Sequence, residues 1–380
     1  MYCPLPPLPP PQPPYPPPPP PPHSIPFEWT TRDLKTATLI GNVGFLKASF
    51  ASKVPLEYYK TTFQVTEADP NHSGNIFHLS VLENREEFIR VAIQNLPPEA
   101  IQQLLNQPRN RDDIDIDIVN PLYLAVLTGN FEIVKLFLNV FRTSSALQSP
   151  SIPKPWLITV DNTLQTLCHI AILNDNEECA LEILTMDMDY FCNAMDINNT
   201  GVLYYAMLQR FTNFVLHILR SDTIVTYAGF KGTTPLNVVT RCSEGKEICR
   251  LLLEKAPNLV KQRGDGGFSV LQFWANDGKL WPYEYVLENS DISPDVRRVF
   301  IDLISATSDQ GHNSLHSLAK FSPIEEVAVQ TAKLLIDTYK KEKEVVALAS
   351  SSIQEDLPWL PRRKMDLRHC PVLYSMGIRI

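Results

Sequence analysis

The chain has 380 residues, 44% of them apolar, and 42 acidic against 34 basic side chains give a net charge of −8. A mildly acidic chain lacks the basic face that general nucleic-acid binding requires. Only 14 glycines, without a Gly-X-Y period, exclude collagen, and seven scattered cysteines without a Cys-x-x-Cys pair suit a reducing interior better than a disulfide framework.

Residues 1–27 come first. Fifteen of the 33 prolines fall within residues 1–22. Proline fixes φ and removes the backbone donor, so neither helix nor sheet is expected there. A disordered, polyproline-II-rich tip is predicted, about 70 Å long if fully extended. It reads as a passive spacer or, through Pro6-Pro7-Leu8-Pro9, as a weak ligand for an SH3- or WW-type partner. Residues 1–22 carry no basic n-region and no apolar h-region, so no signal peptide is read. Beyond the tip, the longest uncharged run is the 14 residues Ile118–Phe131. That is too short to span a bilayer, and a cytoplasmic chain is expected.

From residue 28 onward a short apolar signature recurs. It appears as Leu34-Lys-Thr-Ala37, Asn75-Ile-Phe-His-Leu-Ser80, Asn120-Pro-Leu-Tyr-Leu-Ala125 and Thr166-Leu-Cys-His-Ile-Ala171. It returns as Gly201-Val-Leu-Tyr-Tyr-Ala206, Thr234-Pro-Leu-Asn-Val-Val239, Ser269-Val-Leu-Gln-Phe-Trp274, Asn313-Ser-Leu-His-Ser-Leu318 and Pro371-Val-Leu-Tyr-Ser-Met376. A second apolar stretch usually follows, clearest at Phe131–Leu138 and Glu247–Glu254. Pro121 and Pro235 stand where a first helix begins, the position that needs no backbone donor. Gly129 lies two turns later, where a residue at positive φ can stop the helix. Ile248, Leu251 and Leu252 then form one apolar stripe at i, i+3, i+4.

The template position is occupied by Leu34, Phe77, Leu122, Cys168, Leu203, Leu236, Leu271, Leu315 and Leu373, at steps of 43, 45, 46, 35, 33, 35, 44 and 58 residues. The three short steps sit near the ~33 residues of the ankyrin pattern Thr-Pro-Leu-His-x-Ala, and the longer ones imply insertions. The clearest insertion is Arg142–Val160, with its unhelical Pro153-Lys-Pro155. The expected fold is an all-α ankyrin solenoid of about eight degenerate helix-turn-helix repeats. Its expected organisation is a tip at 1–27, an ankyrin domain at 28–345 with the insertion near 142–160, a linker at 346–365 and a partial repeat at 366–380. Fraying is expected near Leu34 and Leu373, which lack a full neighbour.

Several stretches make the resemblance narrower: Ala37–Lys47, Gly74–Arg90, Ile218–Leu236, Ile248–Ala275 and Trp281–Asp291. The chain resembles plant ankyrin-repeat proteins of the accelerated-cell-death type over about residues 30–340. That resemblance implies defence or cell-death signalling at a plasma membrane or endomembrane, because such repeats are usually followed by a transmembrane domain with a Pro-Gly-Gly motif. The sequence up to Ile380 contains no such domain. A soluble paralogue, a decoy-like binder and a truncated membrane-signalling protein are all compatible with it, and membrane contact would come through a partner or the missing domain.

The remaining motifs are read as structural. His312 and His316 stand four apart but lack the Glu of a zinc helix, and His78, His169 and His316 fall on the template histidine that bonds between repeats. Asp113-Ile-Asp-Ile-Asp117 has Ile118 and Leu124 where a calcium loop needs Gly and Glu. Gly264-Asp-Gly-Gly267 lies at a repeat turn, and Cys242 and Cys249 have no activating neighbour. Arg362-Arg-Lys364 with Arg368 and His369 reads as a solvated linker rather than a nuclear or lipid address. Trp274, at a small-residue position, implies a widened core or a surface anchor, and Trp281 follows an irregular stretch. No catalytic, cofactor or metal residue is assigned. The expected function is non-catalytic binding of a protein on the concave face, without a small-molecule substrate. The binding residues have no motif.

Overall fold

The structure is a computed structural model, and it describes residues 28–64, 73–109, 119–147, 149, 151–160 and 162–354. The proline tip, the Asp113–Asp117 acidic run, the basic cluster at Arg362–Lys364 and the partial repeat at 366–380 lie outside the described residues.

Eight helix pairs follow one another among the described residues. They are Thr31–Ile40 with Val43–Ala51, Ile76–Leu82 with Glu86–Asn95, Pro121–Leu127 with Phe131–Thr143, and Leu167–Leu173 with Glu177–Leu184. Then come Val202–Leu208 with Thr212–Arg220, Pro235–Arg241 with Gly245–Lys255, Val270–Ala275 with Trp281–Glu288, and Ser314–Phe321 with Glu325–Gln354. First helices pack on first helices along the chain, forming one layer. Second helices pack beside them in another layer, so each pair buries a face it could not bury alone.

The third pair shows why these residues fold this way. Asn120 caps the first helix by accepting from Tyr123 N at 2.7 Å, and Pro121 occupies the first helical position. Pro121–Val126 are all buried, which a helix of 7 residues achieves only between neighbours. Gly129 then adopts φ 68, and its N–H and that of Asn130 bond back to Val126 O and Ala125 O. This closes the orphan carbonyls of the helix end. The second helix buries Ile133, Val134, Phe137, Leu138, Val140 and Phe141 on one side and leaves Glu132 and Lys135 in solvent.

The left-handed turn recurs seven residues after the template position. Gly41, Asn84, Asp175, Arg210 and Gly278 all have positive φ there. Only two of these are glycine, so Asn, Asp and Arg hold a conformation that costs an L-residue about 1–2 kcal/mol. Neighbouring turns are tied together: Arg85 Nε donates to Leu39 O at 2.8 Å, and Asn176 Nδ2 donates to Gly129 O at 3.0 Å.

Five local features differ from the sequence expectation or add to it. The first helix of the sixth pair, Pro235–Arg241, is a 3-10 helix. Three consecutive β-branched residues, Val238, Val239 and Thr240, crowd an α-helical turn, which favours the tighter form. Two long steps contain extra helices, Pro98–Asn106 and Pro294–Ser305, rather than loops. The expected insertion at 142–160 starts inside the helix that ends at Thr143, and its later part packs on the third repeat. Trp156 is buried edge-on against Phe141 at 5.1 Å, and Asn120 Nδ2 donates to Pro155 O at 2.9 Å. A two-residue antiparallel ribbon, Thr159–Val160 with Gln165–Thr166, closes that segment. The irregular stretch before Trp281 is the non-helical run 276–280, and the helix Trp281–Glu288 follows it, with Pro282 tolerated in its first turn. Finally, residues 346–354 of the expected linker continue the helix Glu325–Gln354. Its run Lys-Lys-Glu-Lys-Glu from residue 340 is made of good helix formers without a breaker.

Candidate functional site

The side chain three residues into each first helix decides how one repeat meets the next. In the second repeat it is His78. Its Nδ1 accepts from Asn75 N at 3.1 Å, and its Nε2 lies 3.0 Å from Val119 O. The first bond requires an unprotonated Nδ1, so Nε2 carries the hydrogen and donates to the carbonyl just before the third repeat's cap. In the fourth repeat His169 makes the same pair of contacts, Nδ1 to Thr166 N at 3.3 Å and Nε2 to Thr200 O at 3.2 Å. Gln272 does so in the seventh: its Oε1 accepts from Ser269 N at 2.8 Å and its Nε2 donates to His312 O at 2.7 Å. Asn237 in the sixth is too short to reach forward and closes only the local bond, Thr234 N at 2.6 Å. His316 takes the corresponding place in the eighth, accepting from Asn313 N at 3.3 Å.

Burial governs the chemistry of these groups. Desolvation pushes the His78 imidazole down to about 3, with the nearby Arg109 charge acting the same way and the Val119 hydrogen bond opposing. Burial also lowers His169 and His316. The cysteines at 168, 179, 192, 242 and 249 are all free and buried. Desolvation raises Cys242 to about 11 and Cys249 to about 12, the opposite of nucleophile activation. Among the described residues no three His, Cys, Asp or Glu side chains converge as metal ligands. Gly264–Gly267 forms a 3-10 turn, with Gly266 at φ 69 and Gly267 at φ 71. No helix among the described residues is long and apolar enough to cross a membrane.

Trp274 belongs to the core. It is fully buried, its Nε1 donates to Leu236 O at 2.9 Å, and its ring stacks on Phe300 at 5.8 Å and meets Tyr283 edge-on at 5.7 Å. The extra helix Pro294–Ser305 supplies Phe300, which is how the stack widens to hold an indole at a small-residue position.

The exposed large apolar side chains are unevenly distributed within the repeat unit. Among the described residues they are confined to two places. Ile40, Leu127, Leu173, Phe321 and Ile324 lie at or just after the ends of first helices. Leu157, Leu164, Met195, Ile197, Ile224 and Phe230 lie on the segments that lead into first helices. Through residue 344, the second helices carry none of them. Neighbouring tips touch, since Ile197 N donates to Thr163 O at 2.8 Å and Asn193 Nδ2 donates to Ile224 O at 3.0 Å. Isolated exposed leucines need no explanation, but a contiguous apolar edge marks an interaction surface.

Toward the C-terminal half this face holds a groove of about 470 Å³ lined by Tyr204, Phe230, Phe268, Phe273 and Phe321. Its charged rim is one ion pair, Lys231 Nζ to Asp265 Oδ2 at 3.0 Å. None of these aromatics stands at a fixed period, so repeat searching passes over them.

One family model agrees with the helix-pair repeat over part of the chain. Residues 88–200 match the family model for ankyrin repeats in three copies. A structure of the human ASB11 ankyrin repeat domain aligns with 18% identity and a TM-score of 0.40, covering 70% of this chain and 96% of that one. A chain from the complex of the Bd0816 predatory endopeptidase of Bdellovibrio bacteriovorus with immunity protein Bd3460 aligns with 18% identity and a TM-score of 0.39, covering 57% and 96%. No curated protein matches the chain. The family match covers the second helix of the second repeat through the cap of the fifth, and the helix pairs on either side continue the same stack. Residues 88–200 are ankyrin repeats, set within an all-α stack of helix pairs.

Proposed function

We propose that this chain is a non-catalytic scaffold that binds a protein partner on the face built from turn tips and first helices. The observation that carries this reading is that the exposed large apolar side chains lie at the ends of first helices and on the segments leading into them, with none on the second helices through residue 344. The physical advantage is pre-organisation: a stack tied repeat to repeat loses little freedom on binding. Apolar residues at the tips, among them Ile197 and Ile224, would be the anchors, with polar turn residues excluding water around them. A defence or cell-death role rests on the plant resemblance alone and draws no support from the family match. The test is affinity capture with the full chain, comparing Ile197→Asp plus Ile224→Asp with Glu132→Lys plus Lys135→Glu on a second helix. Partners lost with the first pair and kept with the second support the reading. Partners lost only with the second pair would move the interface to the other face and overturn it.

A further inference from the structure

We propose that the aromatic groove is the docking site of the chain's own proline-rich segment, with residues 2–11 seated in it and residues 12–27 spanning the first repeats. This rests on the reading of that face as the binding face, and names one occupant for part of it.

The groove has the chemistry that polyproline II requires. Such a helix has no internal hydrogen bonds and three residues per turn, and it docks against aromatic rings that pack between its prolines. Phe230 is 45% exposed and Phe321 is 38% exposed. Phe268 and Phe273 are half-buried, edge-on to each other at 6.2 Å. Glycine backbone holds the rings in place. A Cβ on Gly229 would sit 2.5 Å from the Tyr204 ring, and one on Gly264 would sit 2.7 Å from the Phe273 ring. Asn276, exposed at the rim, offers an amide donor to a backbone with unpaired carbonyls. The Gln272 amide is already committed to Ser269 N and His312 O.

The segment has the matching pattern. Tyr2, Leu5 and Leu8 are spaced by three in Met1-Tyr-Cys-Pro-Leu-Pro-Pro-Leu-Pro-Pro-Pro11. A helix of three residues per turn would set them on one apolar edge, with Cys3 and prolines on the other two. No charged side chain occurs in residues 1–22, and the groove's Lys231 and Asp265 neutralise each other.

Length decides which part docks. From the first repeat to the sixth there are five packing steps of ~8–10 Å, or about 40–50 Å. Sixteen residues at ~3.1 Å cover about 50 Å. Residues 12–27 are therefore consumed in crossing, and residues 2–11 arrive at the groove. The second proline run, Pro16–Pro22, then serves as a stiff strut.

The experiment uses the full chain and a chain in which residues 2–11 are replaced by alternating Gly and Ser. A fluorescein-labelled peptide of residues 1–22 is titrated into each and followed by anisotropy. The replaced chain should bind saturably, and the native chain at least tenfold more weakly, because its own segment competes. In the replaced chain, Phe230→Ala and Phe273→Ala should each weaken binding tenfold or more, while Glu132→Ala leaves it unchanged. Phe230 stands at an exposed tip, so its variant keeps the test valid if Phe273→Ala perturbs folding. No binding by the replaced chain overturns the proposal. So does equal binding by both chains. Concentration-dependent dimerisation of the native chain would assign the groove to a second copy's segment and overturn docking within one chain. None of these failures touches the anchors Ile197 and Ile224, so the scaffold reading fails only by its own test.

Discussion

The second and fourth repeats put an imidazole where the sixth and seventh put a carboxamide. Both groups satisfy the same helix cap, and His78, His169 and Gln272 also reach the same carbonyl of the next repeat. The difference is that only the imidazole can take a proton, and taking it would break the cap. Degeneracy in the repeat signature is therefore not loss of function at the interface. It gives the second and fourth repeats joints that respond to acid, and the sixth and seventh repeats joints that do not.

The largest test of that contrast removes the feature particular to the seventh, carboxamide-capped repeat. Trp274→Ala takes a fully buried indole from between Tyr283 and Phe300 and leaves Leu236 O without its donor. A loss of about 3–5 kcal/mol is expected. It should be confined to the sixth to eighth repeats, because coupling in a solenoid is nearest-neighbour. Hydrogen exchange resolved by peptide would show this, and uniform loss across all repeats would refute the independence of the repeats.

The acid response comes next. His78 has an ordinary pKa of 6.5 when unfolded and about 3 when folded. The unfolded chain binds the extra proton, so His78's contribution is fully present above pH 6.5 and declines as pH falls toward 3. At about 1.4 kcal/mol per unit, acidification from pH 7 to pH 5 should cost about 2 kcal/mol in the second repeat. His169 acts in the same direction in the fourth. His78→Gln should flatten the second repeat's response, reproducing the seventh repeat's solution. Urea melts at the two pH values measure it, and an unchanged pH slope in His78→Gln would reject the assignment.

Two smaller effects sharpen the comparison at single caps. Glu177 Oε1 accepts from Phe214 N at 2.8 Å, so the fourth repeat caps the fifth's second helix, which has no cap of its own. Glu177→Ala should cost about 1 kcal/mol by thermal melting. Arg210 holds the left-handed turn position at φ 65. Arg210→Gly should raise stability by up to about 1 kcal/mol in the same assay, the strain relief being partly offset by glycine's entropy.

Much of this was legible before any coordinates. Pro121, Gly129 and the Ile248, Leu251, Leu252 stripe sit where their chemistry places them, and His78 and His169 bond to the next repeat as the template implies. What escaped the reading has a common cause. The helices Pro98–Asn106 and Pro294–Ser305 fall between templates, where a period search sees only extra length. Three β-branched residues after Leu236 tightened a helix that the template scores as ordinary. Asn84, Asp175 and Arg210 take the glycine's backbone without being glycine. The groove draws its rings from Tyr204 to Phe321, across four repeats, and only stacking brings them together.

The shortness of the first helices has a consequence for how the chain is made. Ile76–Leu82, Pro121–Leu127, Leu167–Leu173 and Val202–Leu208 have 7 residues each. An isolated helix of that length is not stable in water. Each must wait at the ribosome until the following repeat has emerged, 33 to 46 residues later in this chain. At ~5–20 residues per second that is a lag of roughly 2 to 9 s, during which one repeat's apolar face stands open. Folding therefore trails synthesis by a single unit.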